Sequence, residues 1–195
     1  MNDVLSDIFE TIRLRATLYF RTDYSPPWAV TVPAYKQAAR FHLVIQGRCH
    51  VGLPSGRAVD LGPGDLILIP RGHEHTLADS PGRAPAPLER VIEESGYDGR
   101  GVFVVGTGNS QAATQMVCGH LGFTQGADHP LLRALPEVIV MTAGDRARQP
   151  LLDETLRLVA RRAFTEGPGS TAAIARLSEV FFIEAVRGSI AQSPE

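Results

Sequence analysis

The stretch Gly64-Asp-Leu-Ile-Leu-Ile-Pro70-Arg71-Gly72-His73-Glu74-His75 constrains this chain more than any other. Gly62, Pro63 and Gly64 make a tight turn into a short strand whose apolar run needs no alternation, as in strands buried on both faces. Pro70 ends that strand, because it has no N–H to offer a ladder. Gly72 permits a corner at positive φ, after which the chain returns as a strand carrying His75. Comparable β-rich runs lie at 14–20, 28–32, 41–46, 49–53 and 58–61, with Ser25-Pro26-Pro27, Gly47 and Pro54-Ser55-Gly56 as turn signals. Strands this short, evenly spaced and without helices between them, predict a sandwich or barrel.

The flanks differ. Asp3 is placed to cap a short helix in which Val4, Leu5, Ile8, Phe9 and Ile12 recur at helical spacing. Residues 79–100 are rich in Pro, Gly and charge and read as a surface loop, with a lid over the barrel mouth as its functional version. Two more strands follow at 102–106 and 114–123, then a helical turn at 129–136 and a last strand at 137–142. Residues 150–164 and 170–187 read as amphipathic helices joined by Gly167-Pro168-Gly169-Ser170, with Ser170 or Thr171 as N-cap and Gly188 as the stop. The expected division is a barrel over 1–145, a helical pair over 146–188, and a polar tail or linker start over 189–195.

Composition narrows the function. With 44% hydrophobic and 21% charged residues, the chain of 195 residues is globular and not disordered. Lys and Arg total 19 against 21 Asp and Glu, so the basic excess of a free-standing nucleic-acid binder is missing. No apolar run is long enough to cross a membrane, and the N-terminus has no signal-peptide pattern. Cys49 and Cys118, with no export signal, are expected as reduced thiols in a cytoplasmic protein.

The skeleton from Gly64 to His75 resembles the second motif of the cupin superfamily, a small double-sheet jelly roll. The Asn that commonly follows four residues later falls on Asp79. The first cupin motif fits less well. Before Val44-Ile45-Gln46-Gly47, the usual Glu position falls on Arg40, and the region of the usual His-x-His pair reads Pro33-Ala-Tyr-Lys36. A narrower resemblance spans nearly the whole chain. FHLVIQGRCHVGLPSG, VDLGPGDLILIPRGHEHTLAD, MVCGHLGF, HPLLRALPEVI and LSEVFFIEAVR, in that order, are similar to the N-terminal cupin domain of AraC/XylS-type transcription regulators. That resemblance implies a mainly β fold: a cupin double-stranded β-helix (jelly roll) with a short N-terminal helix and two C-terminal helices. It also implies a module that senses a small-molecule effector and forms a homodimer. DNA is then expected to be met only through a C-terminal helix-turn-helix domain absent from this chain.

Alternation puts Arg40, His42, Val44 and Gln46 on one face of a strand, and Cys118 with His120 on one face of another. The cupin pattern implies that the faces bearing His42 and His75 look into the barrel. Arg40, His42, Gln46 and His75 are the candidate polar anchors for a ligand, with Trp28 and Tyr35 as stacking partners, Trp28 being equally at home in the core. His42, His75, Cys118 and His120 also have the side-chain types zinc prefers, so zinc or another divalent metal is the candidate cofactor. The alternative is a metal-free polar pocket. Missing His-x-His ligands and an Arg at the Glu position speak against a metal-dependent cupin enzyme, oxygenase or isomerase, which is the rival reading. The second tail helix carries Phe181-Phe182-Ile183 and balances Arg176 and Arg187 against Glu179 and Glu184. That is a helix for packing against the barrel or against its twin in a dimer and not a reader of base edges, and a symmetric dimer is expected to bury its Phe181/Phe182 region.

Overall fold

The computed structural model describes residues 3–35, 37–106, 111, 113–123, 129–165 and 167–192. Helix α1 (Val4–Ile12) leads into strands β1 (Leu14–Tyr24), β2 (Ala29–Val32), β3 (Ala38–Gln46), β4 (Cys49–Gly52), β5 (Ala58–Leu61), β6 (Leu66–Ile69) and β7 (His75–Ala78). Then come β8 (Ala86–Pro87), α2 (Leu88–Ser95), β9 (Val102–Val105), β10 (Thr114–Phe123), α3 (Pro130–Ala134) and β11 (Ile139–Met141). Helices α4 (Ala143–Arg146), α5 (Pro150–Ala163) and α6 (Ser170–Gln192) close the chain. One sheet runs β11-β6-β3-β10-β1-β9 and the other β5-β4-β7-β2-β8.

Two apolar cores follow from strand alternation. Leu43, Phe41, Leu66, Leu68, Val117 and Leu121 leave the six-stranded sheet on its outer side and pack with Phe9 of α1, Leu152 and Leu156 of α5, and Phe181 and Phe182 of α6. Val44, Ile67, Ile69, Met116 and Cys118 leave it on the inner side and meet Val30, Val32, Val51 and Leu77 of the other sheet. The second core is the inside of the jelly roll. Leu18 faces the helices, while Phe20 and Tyr24 belong to the barrel core. The β1–β10 register slips between Leu18 and Phe20. An extra residue in an antiparallel strand turns the following side chains to the other face.

The corner at Gly72 has its physical reason. Its φ is 59°, and a Cβ there would run into the carbonyl oxygens of Tyr35 and Ala38. At the N-terminus Asp3 caps α1 as expected, its carboxylate accepting from the Ser6 amide at 3.2 Å.

Four expectations need correction. The segment 79–100 is not only loop: it contains β8 and α2, and α2 lays Leu88, Val91 and Ile92 against the barrel core. Helix α4 had no signal apart from its own short turn. Gly188 does not stop α6, which continues to Gln192; a Cβ at Gly188 would press on the Gln149 side chain, so the glycine serves close approach to the start of α5. The expected polar tail is therefore helical as far as residue 192, and 193–195 lie outside the described residues. Finally, Phe181 and Phe182 are fully buried within the single chain. Their rings meet Phe41 at 5.0 Å and Phe9 at 6.1 Å, so they are core and not a surface held for a second copy.

Candidate functional site inside the barrel

On the inner face of β3, Arg40, His42 and Val44 succeed one another, as alternation demands. All three are buried, Arg40 at 7% exposure and His42 at 3%. His75, at the start of β7, comes from the opposite sheet, and its Nε2 lies 2.7 Å from Nε2 of His42. His75 Nδ1 lies 2.9 Å from the His73 carbonyl oxygen. These contacts assign the protons. A carbonyl only accepts, so His75 carries its proton on Nδ1 and presents a lone pair at Nε2. His42 must then donate through its own Nε2–H. That leaves Nδ1 of His42 as a buried acceptor, and it has no hydrogen-bond partner among the described residues.

Both imidazoles are held neutral. Burial lowers His42 well below the usual histidine range, with His75 and the Arg40 cation acting in the same sense. Burial likewise lowers His75 to about 4, partly offset by its bond to the His73 carbonyl and reinforced by Arg40. His120 is half-buried and is lowered first by burial and then by Arg40.

A cavity of about 20 Å³ lies beside this row, lined by Arg40, His42 and Thr22 with the apolar side chains of Phe20, Tyr24, Val30, Val32, Leu77 and Met116. It is large enough for a molecule about the size of one water. Leu88, the first residue of α2, lines it as well. Among the described residues no acidic side chain lines it, and its polar groups are those of Arg40, His42, Thr22 and Tyr24 in an otherwise mostly apolar wall.

The remaining candidates fall elsewhere. Gln46 is exposed at the end of β3, past a slip in the β3–β10 register, and does not line the cavity. Trp28 is core, packed edge-on to Tyr24 at 5.1 Å, and does not line the cavity either. Tyr35 is 45% exposed and sits outside it. Its ring is 5.0 Å from the Arg40 guanidinium carbon and 5.1 Å from the His120 ring, which caps the polar row from the surface side.

The four expected metal ligands are not drawn together into one centre. Among the described residues no group of three or more His, Cys, Asp or Glu is disposed to hold a metal. His42 and His75 meet nitrogen to nitrogen at 2.7 Å, whereas two ligands of one tetrahedral zinc at about 2.1 Å would stand about 3.4 Å apart. Cys118 faces His42 across the β3–β10 ladder, where burial, with Cys49 nearby, pushes its thiol well above the usual range. His120 stacks against Tyr35 instead. The arrangement fits a hydrogen-bonded pair and does not fit a metal centre.

Several lining residues had no reading from sequence. Thr22 and Tyr24 face the cavity only because of the slip in β1. Leu88 was hidden in a segment that reads as loop. Alternation on β10 would have found Met116, two residues before Cys118 on the same face.

A family model described as Cupin matches residues 3–191. This chain is a member of the cupin family. Among curated proteins, this cupin is similar to the HTH-type transcriptional regulator AlkR of Acinetobacter baylyi, 27% identical over 194 residues. The match takes in 97% of the cupin chain and 62% of the relative, so the chain spans less than two thirds of that regulator. A regulator relative agrees with the resemblance to AraC-type N-terminal domains. Among solved structures the cupin is similar to apo ToxT from Vibrio cholerae, with a TM-score of 0.43 and 7% identity over 91% of this chain and 57% of that one. It is also similar to YhaK from Escherichia coli, with a TM-score of 0.36 and 11% identity over 66% and 40%. Both likenesses are too distant to bear on function. No helix among the described residues is long and apolar enough to cross a membrane.

Proposed function

We propose that this cupin is the effector-sensing domain of an AraC-type transcription regulator and not an enzyme. In this reading a small molecule enters the barrel beside Arg40 and His42. The observation that carries the reading is a buried polar row, Arg40-x-His42 with His75, set in an otherwise apolar barrel beside a small cavity. An apolar core would be at least as stable, so the row is better explained by a ligand than by folding. The cavity as it stands is a closed state. Opening it requires Leu88 to withdraw with α2, a helix that has no buried residue of its own. The regulator relative supports a sensing role over catalysis.

The same strands supply a route outward. Phe41 and His42 are neighbours on β3: one packs on Phe181 of α6 and the other lines the cavity. A ligand that shifts β3 therefore shifts the helix seated on its other face. Residues 1–145 sense and residues 146–188 transmit. Pairing between copies then uses the outward side chains of the helices, Leu151, Val180 and Ile190, which are exposed.

The test is a backbone-amide NMR screen of this chain against a library of small polar and apolar compounds. Binders should perturb Val30, Leu77 and Met116 inside the barrel and then residues along α6. Binders that leave those barrel residues untouched and act only on the helix surface would remove the sensor reading.

A further inference from the structure

The sensor reading says that something binds in the barrel; the polar groups beside the cavity narrow what. We infer that the ligand is a small uncharged alcohol, whose hydroxyl sits between Nδ1 of His42 and the Thr22 hydroxyl and whose short apolar body takes the place of Leu88 at the wall. This rests on the sensor reading and adds the chemical class.

Two independent features ask for a hydroxyl. His42 gives its Nε2–H to His75, so its Nδ1 can only accept, and that atom is buried without a hydrogen-bond partner among the described residues. Thr22, on the neighbouring side of the same sheet, is the counterpart. Its oxygen accepts from the Met116 amide at 3.1 Å, and its own hydroxyl hydrogen has no acceptor among the described residues. One side of the lining thus offers a lone pair and another a hydrogen. Both border a space of about 20 Å³, room for about one water, so a single oxygen atom meets both. A hydroxyl gives its hydrogen to His42 and takes one from Thr22. A ketone, an ether or a carboxylate can only accept, and leaves His42 without its partner.

Charge points the same way. Arg40 is engaged from the surface side, with Nη2 3.5 Å from the Pro33 carbonyl oxygen and its guanidinium carbon 5.0 Å from the centre of the Tyr35 ring. It therefore calls for no anion from the ligand, while its positive charge disfavours a cation. Burial holds the His42 ring and the Tyr24 phenol neutral, so the groups that face the cavity are suited to a neutral tenant.

The body is set by the apolar wall residue that is held least. Val30, Val32, Leu77 and Met116 are buried. Phe20 is half-buried, but its ring packs on Tyr97 at 5.8 Å and on Phe103 at 5.1 Å. Leu88 is half-buried too, on a helix with no buried residue. It follows directly on β8, which pairs with β2, so α2 is anchored at its start and Leu88 turns outward from there. A leucine side chain that swings out leaves room for a group of like size, a branched butyl or a small ring.

The experiment is a backbone-amide NMR titration of the wild-type chain with sec-butanol, cyclopentanol and cyclohexanol. Each is matched against the ketone, the methyl ether and the carboxylate of the same body. At least one alcohol should shift Leu77 and Met116 and bind about tenfold more tightly than all three of its matches, as expected when a buried polar group loses its mate. His42→Phe should level alcohol with ketone. Thr22→Val should weaken both and keep the alcohol ahead. The comparisons within the wild type stand even if a variant folds poorly. If no alcohol outbinds its matches, including the case where none binds, or if the alcohol keeps its lead in a folded His42→Phe variant, the alcohol inference is overturned. The sensor reading survives that result if other library compounds still perturb Leu77 and Met116, and falls with it if they do not.

Discussion

The six-stranded sheet shows two faces to two interiors, and the same strands build both. On β3, Phe41 and Leu43 point to the helices, while Arg40, His42 and Val44 point into the barrel. On β10, Val117 and Leu121 take the helix side and Met116 and Cys118 the barrel side. The helix side is mainly apolar, with the buried Thr155 and Ser178 hydroxyls donating to carbonyls of their own helices, and is closed by aromatic packing of Phe41, Phe181, Phe182 and Phe9. The barrel side buries an arginine and two neutral histidines and keeps a small cavity. One face is built to hold the domain together. The other gives up some stability to present polar groups in a dry place.

The largest test of that contrast is truncation on the helix side. Phe181→Ala should destabilise the domain by about 3–5 kcal/mol, because a fully buried ring leaves a cavity between sheet and helix. Chemical denaturation would measure it, and a loss under about 1 kcal/mol would break the assignment of stability to this face. Next comes acid. In the unfolded chain His75 titrates near 6.5 and in the barrel at about 4. Between those values the unfolded state binds the proton and the folded state does not. The stabilisation is therefore complete above about pH 6.5 and is lost as pH falls towards 4, a change of about 3 kcal/mol. His42 acts in the same direction. Stability measured between pH 7 and pH 4 should show this slope in the wild type, and a His42→Leu/His75→Leu double variant should flatten it.

A smaller effect separates the two histidines. His42→Leu alone should cost about 1–3 kcal/mol, since it strands Nε2 of His75 in an apolar place. The double variant should recover much of that loss, and a double-mutant cycle with no coupling would dissolve the pair. Smallest of all, Leu88→Ala should cost within about 1 kcal/mol, because Leu88 is only partly buried. It should nevertheless speed hydrogen exchange across α2, showing which wall of the barrel yields first.

Legibility in the sequence followed the range of the forces involved. The corner from Gly64 to Gly72 and the strands at 49–52, 58–61 and 114–123 could be read locally, because turn residues and β-branched runs act on their own neighbours. Leu88–Ser95 could not, because a helix with no buried residue owes its form to the surface it covers. Gln46 was misplaced by alternation past a register slip, and Thr22 and Tyr24 were missed for the same reason on β1. Phe181 and Phe182 were legible as a buried pair, against the barrel or a second copy, and the structure buries them against Phe41 and Phe9 of the same chain.

The sequence alone determined a sandwich or barrel of short strands and the flanking helices, since period-2 alternation, glycine corners and 3.6-residue periodicity are local properties of the chain; the jelly-roll class and the inward sense of the face bearing Arg40 and His42 came from its resemblance to cupins. Only the tertiary structure decided that two histidines 33 positions apart share one hydrogen bond, that Cys118 and His120 form with them no group disposed to hold a metal among the described residues, and that the cavity closes under Leu88. Those outcomes depend on how two sheets and a helix meet to within an ångström, and no spacing along the chain carries that distance.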